Sequence, residues 1–138
     1  MRITKNLLNE LSYEVIGAAI EVHKSLGPGL LESVYHKCLM HELAFREIPF
    51  VTEINIPVLF KGLHINTELR CDLFIDNCLA VELKAVESTL PIHEARLLTY
   101  MKLLEAPKGI LINFNCINLF KEGQKTFVNY FFRDLPDQ

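Results

Sequence analysis

The sequence predicts an α/β fold, a central mixed sheet flanked by helices, and three observations carry that prediction. Apolar residues recur at helical spacing over the first third of the chain. They alternate with period two between about 50 and 85, then return to helical spacing before a short apolar run at 110–114. Strands of this kind must bury their faces against the helices that precede and interrupt them. With 138 residues, half of them hydrophobic, the chain is long enough for one domain with a real core, expected over 1–138.

The first helix is expected from Leu8 to Leu26, where Leu8, Leu11, Val15, Ile16, Ala19 and Ile20 share a stripe. Gly27-Pro28-Gly29 ends it, because Pro28 cannot extend the hydrogen bonding of the preceding turn. A second helix follows from about Leu31 to Arg46, with Glu32 in its first turn, where a negative charge suits the helix dipole. Beyond Pro49 one strand is read from Phe50 to Phe60, a turn at Lys61-Gly62, a strand from Leu63 to Ile75 and a third from Leu79 to Ala85. Pro91 opens a helix to about Glu105, and Ile110 to Phe114 reads as a buried strand. Weaker strands are expected near Asn118–Lys121 and Thr126–Phe132, with a loose tail from Asp134.

Strand parity sharpens this reading. A two-residue loop at Lys61-Gly62 pairs Phe60 with Leu63, Val58 with Ile65 and Ile54 with Leu69, keeping the apolar residues on one face. The same register sets Glu53 opposite Arg70 as a cross-strand ion pair. A two-residue loop at Asp76-Asn77 would instead mix apolar and charged faces. One extra residue or a bulge restores the match and sets Asp72 opposite Glu82.

The formal net charge is -3, whereas a protein that mainly coats nucleic acid is usually basic. Cys38, Cys71, Cys78 and Cys116 lie far apart and lack zinc-ligand spacing, so they read as reduced thiols. The N-terminus lacks the apolar run of a signal peptide and no segment approaches a membrane span, so a cytoplasmic location is expected.

Charge inside an apolar setting is where chemistry is expected. Asp72 on one strand faces Glu82 on the next, and Lys84 follows two positions later on the same face. Two acids and a lysine on buried strands are costly to desolvate, and they suit a divalent cation and a phosphate. A surface ion-pair cluster is the plainer alternative. His23 reads as a hydrogen-bonded core histidine, and His36 as either a partner of Glu32 at i+4 or a surface residue. Tyr35 is read first as packing and second as a hydroxyl near the site. Phe127, Tyr130, Phe131 and Phe132 read mainly as core, with a homodimer contact or base stacking as alternatives.

Asp72 and Glu82-Leu83-Lys84, in this order of helices and strands, resemble the core of the PD-(D/E)XK nuclease superfamily. Gly29-x-x-Glu32-x-x-Tyr35, preceded by Leu26-Gly27-Pro28, resembles more narrowly the small bacterial GxxExxY family within it. The likeness runs from about Val15 to Phe114 and implies a restriction-endonuclease-like αβββαβ core. It implies that Asp72 and Glu82 bind Mg²⁺, with Mn²⁺ as a substitute, that Glu32 joins the metal shell and that Lys84 assists the attacking water. It places Arg96 and Tyr100, with Tyr35, as substrate-positioning residues. Many members carry Gln where this chain has Arg96. That guanidinium is expected either to hold a phosphate or to pair with Glu82 or Glu32 in the absence of metal. The resemblance thus implies a magnesium-dependent nuclease acting on DNA or RNA. The alternative is a nuclease-fold module that binds nucleic acid or a protein without cleaving.

Overall fold

The computed structural model describes residues 2–138, and its order of elements follows from capping and burial. Helix α1 (Lys5–Leu26) starts where the Thr4 side chain accepts the Leu7 amide at 3.0 Å, and ends at Gly27. Helix α2 (Glu32–Phe45) lies against it and buries Tyr35, Leu39 and Leu43. Strands β1 (Phe50–Asn55), β4 (Arg70–Ile75), β5 (Leu79–Lys84), β6 (Lys108–Asn113) and β7 (Gln124–Val128) form one sheet in the order β1-β4-β5-β6-β7. Among the described residues only β5 and β6 are parallel, and helix α3 (Pro91–Leu104) connects them. A short pair, β2 (Val58–Phe60) and β3 (Leu63–Ile65), stands apart as a separate two-stranded ribbon, and α4 (Tyr130–Arg133) follows β7.

Two apolar layers hold the sheet. α1 and α2 cover one face through Leu8, Val15, Ala19, Tyr35 and Leu39, which meet Leu73, Val81, Leu83, Ile110 and Ile112. α3 covers the other through Leu97, Tyr100 and Met101, which meet Phe74, Ala80 and Leu111. α3 sits so close to β6 that a Cβ on Gly109 would lie 2.6 Å from Met101 Sδ, so any larger residue forces the helix away. Cys71 and Cys78 are buried on or beside the strands, and all four cysteines are free.

Several expectations are corrected. The Lys61-Gly62 hairpin does pair Phe60 with Leu63 and Val58 with Ile65. Two residues join β1 to β2 but four join β3 to β4, so the ladder slips by two, and Ile54 pairs with Cys71 instead of Leu69. The slip is even, so every side chain keeps its face. Arg70 consequently lies opposite Asn55, and the Glu53–Arg70 ion pair does not form. The strand expected near Asn118 is a π-helical turn, Leu119–Gly123, capped by the Asn118 side chain. The expected last strand stops at Val128, where Asn129 caps α4. The tail is not loose: the carbonyls of Pro136 and Asp137 accept the Lys5 and Asn6 amides at 2.9 and 3.1 Å, filling free donors of the first turn of α1.

Candidate active site

Strands β4 and β5 are paired through Leu73–Val81, and there the backbone ladder gives way to side chains. Extended by one step, the register sets Asp72 against Glu82. The Asp72 amide donates to Glu82 Oε1 at 2.9 Å, and the Leu83 amide donates to Asp72 Oδ2 at 2.8 Å. Each carboxylate thus binds the backbone of the other's strand with one oxygen. The three-residue turn that sets this register holds Asp76 and Asn77 in the left-handed region, which short polar side chains tolerate.

Burial and mutual repulsion dominate the electrostatics. Glu82 is 7 % exposed, and its pKa is pushed up to about 7, first by loss of water and then by Asp72. The Asp72 amide and Lys84 pull in the other direction without balancing the shift. Desolvation likewise raises Asp72, and Glu53 adds to it while the Leu83 amide, His36 and Lys84 oppose it. Glu32, the first residue of α2, is accessible to solvent, yet desolvation and Asp72 raise its pKa as Lys84 and His36 lower it. Among the described residues neither Lys84 nor any of these three acids forms an ion pair. Negative charge is therefore concentrated here without a full counter-charge.

Two features of the donor set bear on a metal, its free oxygens and its size. Asp72 and Glu82 each commit one carboxylate oxygen to an amide and leave the other free. No group of three or more His, Cys, Asp or Glu side chains among the described residues is placed to hold an ion. A cation here would take most of its shell from water or substrate, which suits magnesium's habit of keeping water and phosphate oxygens.

Other residues anticipated at the site have separate tasks. Tyr35 is fully buried, stacked on Phe114 with centroids 4.5 Å apart, so it cannot touch a substrate. Its hydroxyl donates to the Gly27 carbonyl at 2.5 Å and accepts the Leu30 amide at 3.2 Å. Together with Gly29, whose φ of 96° excludes most side chains, it clamps the turn that delivers Glu32. Arg96 makes no ion pair with Glu82 or Glu32 and lies exposed, because α3 packs through Leu97, Tyr100 and Met101 and turns position 96 outward. Tyr100 is buried on the α3 side of the sheet, and the nearby Glu82 helps raise its pKa after desolvation. His23 bonds the Cys116 carbonyl at 2.8 Å as a core histidine.

Some contributors lacked a usable signal in the sequence. Asn113 pairs with Lys84 across β5 and β6, accepts the Val86 and Asn115 amides and donates to the Val86 carbonyl. It fixes the chain that leaves Lys84. Thr52 donates to the Asp72 carbonyl at 3.3 Å and meets His36 Nε2 at 3.0 Å, joining α2 to the acid-bearing strand. Glu53, between Thr52 and Ile54 on β1, adds its charge beside Asp72 and has φ of 51°, a conformation no residue count would suggest. His93 Nδ1 accepts the Leu90 amide at the start of α3, and desolvation, Lys84 and Arg96 depress its pKa.

A mixed sheet in αβββαβ order, with helices on both faces and an acid pair where two strands part, is a restriction-endonuclease-like fold. A family model described as the PD-(D/E)XK nuclease superfamily matches residues 9–127, and the chain belongs to that superfamily. Comparison with curated proteins and with solved structures gave no match. Among the described residues no helix is long and apolar enough to cross a membrane.

Proposed function

We propose that this protein is a magnesium-dependent nuclease that hydrolyses phosphodiester bonds of DNA or RNA, with Mn²⁺ able to replace Mg²⁺. The observation that carries the reading is the reciprocal Asp72–Glu82 pair, two desolvated acids with raised pKa values, a free oxygen each and no counter-ion. Asp72 and Glu82 would hold the ion, with Glu32 added from the first turn of α2. When bound, a divalent cation polarises the phosphate and acidifies water. Lys84, without an acidic partner, is available to orient the attacking water or to offset charge developing on the phosphate. Asn113 and the Val86 backbone hold the segment that follows Lys84, which limits its wandering. Tyr100 lines the buried side, and exposed Arg96 suits a phosphate at the rim of the site rather than the metal's place.

The Gly29-x-x-Glu32-x-x-Tyr35 motif supports membership of the small bacterial GxxExxY group, acting as one domain over 1–138 in the cytoplasm. The test is cleavage of labelled single- and double-stranded DNA and RNA with Mg²⁺, Mn²⁺ or chelator, alongside calorimetric Mg²⁺ titration. Wild type should bind the ion and cut at least one substrate, and Glu82→Ala should do neither. Ion binding without cleavage of any substrate would favour the non-cleaving module, and no ion binding at all would overturn both the metal site and the enzyme.

A further inference from the structure

The β2–β3 ribbon lies outside every core of the molecule. None of the residues from Pro57 to Asn66 belongs to either buried cluster, and the ribbon hydrogen bonds as a sheet of its own. Yet it is strongly apolar. Val58, Phe60, Leu63 and Ile65 share one face by register, and Leu59 lies on the other. Phe60 is 62 % exposed, Leu63 60 %, Leu59 58 % and Ile65 43 %. An isolated two-stranded hairpin is marginal in water, and a contiguous exposed apolar patch usually meets a partner. This arm adds little to the fold of one chain, so its composition calls for an occupant.

We propose that the β2–β3 arm is the dimerisation element, and that its occupant is the arm of a second copy of this chain. Three observations select this partner. Lys61 is the only Lys, Arg, Asp or Glu in residues 56–67, so the arm lacks the cations that phosphate contacts need. Beside the arm runs a cleft of about 600 Å³ lined by Leu59 and Ile65 of the arm and by Leu103, Tyr130 and Phe131 of the body. The chain thus carries an apolar projection and an apolar groove side by side, the self-complementarity a twofold interface requires. Glu105 and Lys102 both line the groove, and of the two Glu105 offers the incoming tip's Lys61 an opposite charge. Phe60, Leu63 and Ile65 present their exposed apolar surface on one face of the arm, so a twofold pair buries both copies of it at once.

This inference stands apart from the nuclease reading, since the arm contains none of the proposed site residues. Sedimentation velocity and light scattering of the full chain at 1 to 100 µM, by order of magnitude, test it. Wild type should move from one to two copies of the 15.9 kDa chain as concentration rises. Phe60→Ser combined with Leu63→Ser should weaken self-association roughly a hundredfold or more, because each loss counts twice across the twofold. Its melting temperature at low concentration and its Mg²⁺ titration should match wild type, which separates a lost interface from a lost fold. Glu105→Lys should weaken association, and adding Lys61→Glu should restore part of it. A wild-type monomer throughout the range would overturn the proposal. So would an arm variant that dimerises unchanged, or one whose only defect is binding to duplex DNA or to anionic vesicles.

Discussion

Asp72 and Glu82 hold each other's strands apart: each carboxylate accepts a backbone amide from the opposite strand, at 2.8 and 2.9 Å, where a ladder hydrogen bond would otherwise lie. The arrangement stabilises the separation of β4 and β5 and keeps Glu82 nearly dry beside a half-buried Asp72. A structural role alone would be served by amides and carbonyls, without that desolvation cost.

The first prediction is a pH dependence of stability. Glu82 has a folded pKa of about 7, above its ordinary value of 4.5, so between these values the folded state holds a proton that the unfolded state has released. Stability from this group is therefore full below about pH 4.5 and lost as pH rises through 7, and raised Asp72 and Glu32 act in the same direction. Glu82→Gln keeps the acceptor for the Asp72 amide and removes the charge. It should be more stable than wild type by about 3 kcal/mol at pH 8 and nearly equal at pH 4, read by urea denaturation without metal.

Magnesium should reverse that trend. Ion binding requires deprotonated carboxylates, so affinity should rise through pH 7 with proton release measurable by calorimetry in two buffers. The rise in melting temperature on adding Mg²⁺ should be larger at pH 8 than at pH 6, and absent in Asp72→Asn.

Lys84→Met separates chemistry from binding. Cleavage should fall about a hundredfold or more, while Mg²⁺ still binds. Lys84 lowers the pKa of Glu32, Asp72 and Glu82, so its removal should move the pH midpoint of Mg²⁺ binding upward. An unchanged midpoint would show that the amine does not act on the acid pair.

Tyr35→Phe keeps the ring stacked on Phe114 and deletes the clamp on Gly27 and Leu30. The expected loss is about 1–3 kcal/mol in denaturant, because two backbone groups lose their partner. Arg96→Gln, in contrast, should change stability by less than about 0.5 kcal/mol and leave Mg²⁺ affinity unaltered, since the exposed guanidinium pairs with no acid. A weakened affinity for substrate, with a shallower salt dependence, would mark it as a phosphate contact.

Much of this was legible from side-chain period. The alternation along 70–84 gives faces and registers together, because a one-residue error at the Asp76 turn would set apolar residues opposite charged ones, so Asp72 opposite Glu82 follows from matching the two faces. The β1–β4 register was not legible past the ribbon. An even slip leaves every face unchanged, so periodicity cannot detect it; it depends on Ile56 donating to the Leu69 carbonyl and Thr67 bonding the Ile56 carbonyl. Arg96 shows a related limit. Its spacing to Tyr100 places both within one turn, but which flank of α3 turns inward is decided by Gly109 admitting Met101 against β6. The tail's docking on α1 depends on backbone carbonyls, which carry no residue signature.

The amides of Asp72 and Leu83 have a further use. Both are tethered to side chains instead of to a neighbouring strand, so each proton is released to solvent whenever its carboxylate swings away. In a spectrum of the labelled protein these two resonances become built-in gauges of site occupancy. Their exchange rates and shifts would follow the arrival of an ion, or of a lone proton, before any substrate is turned over.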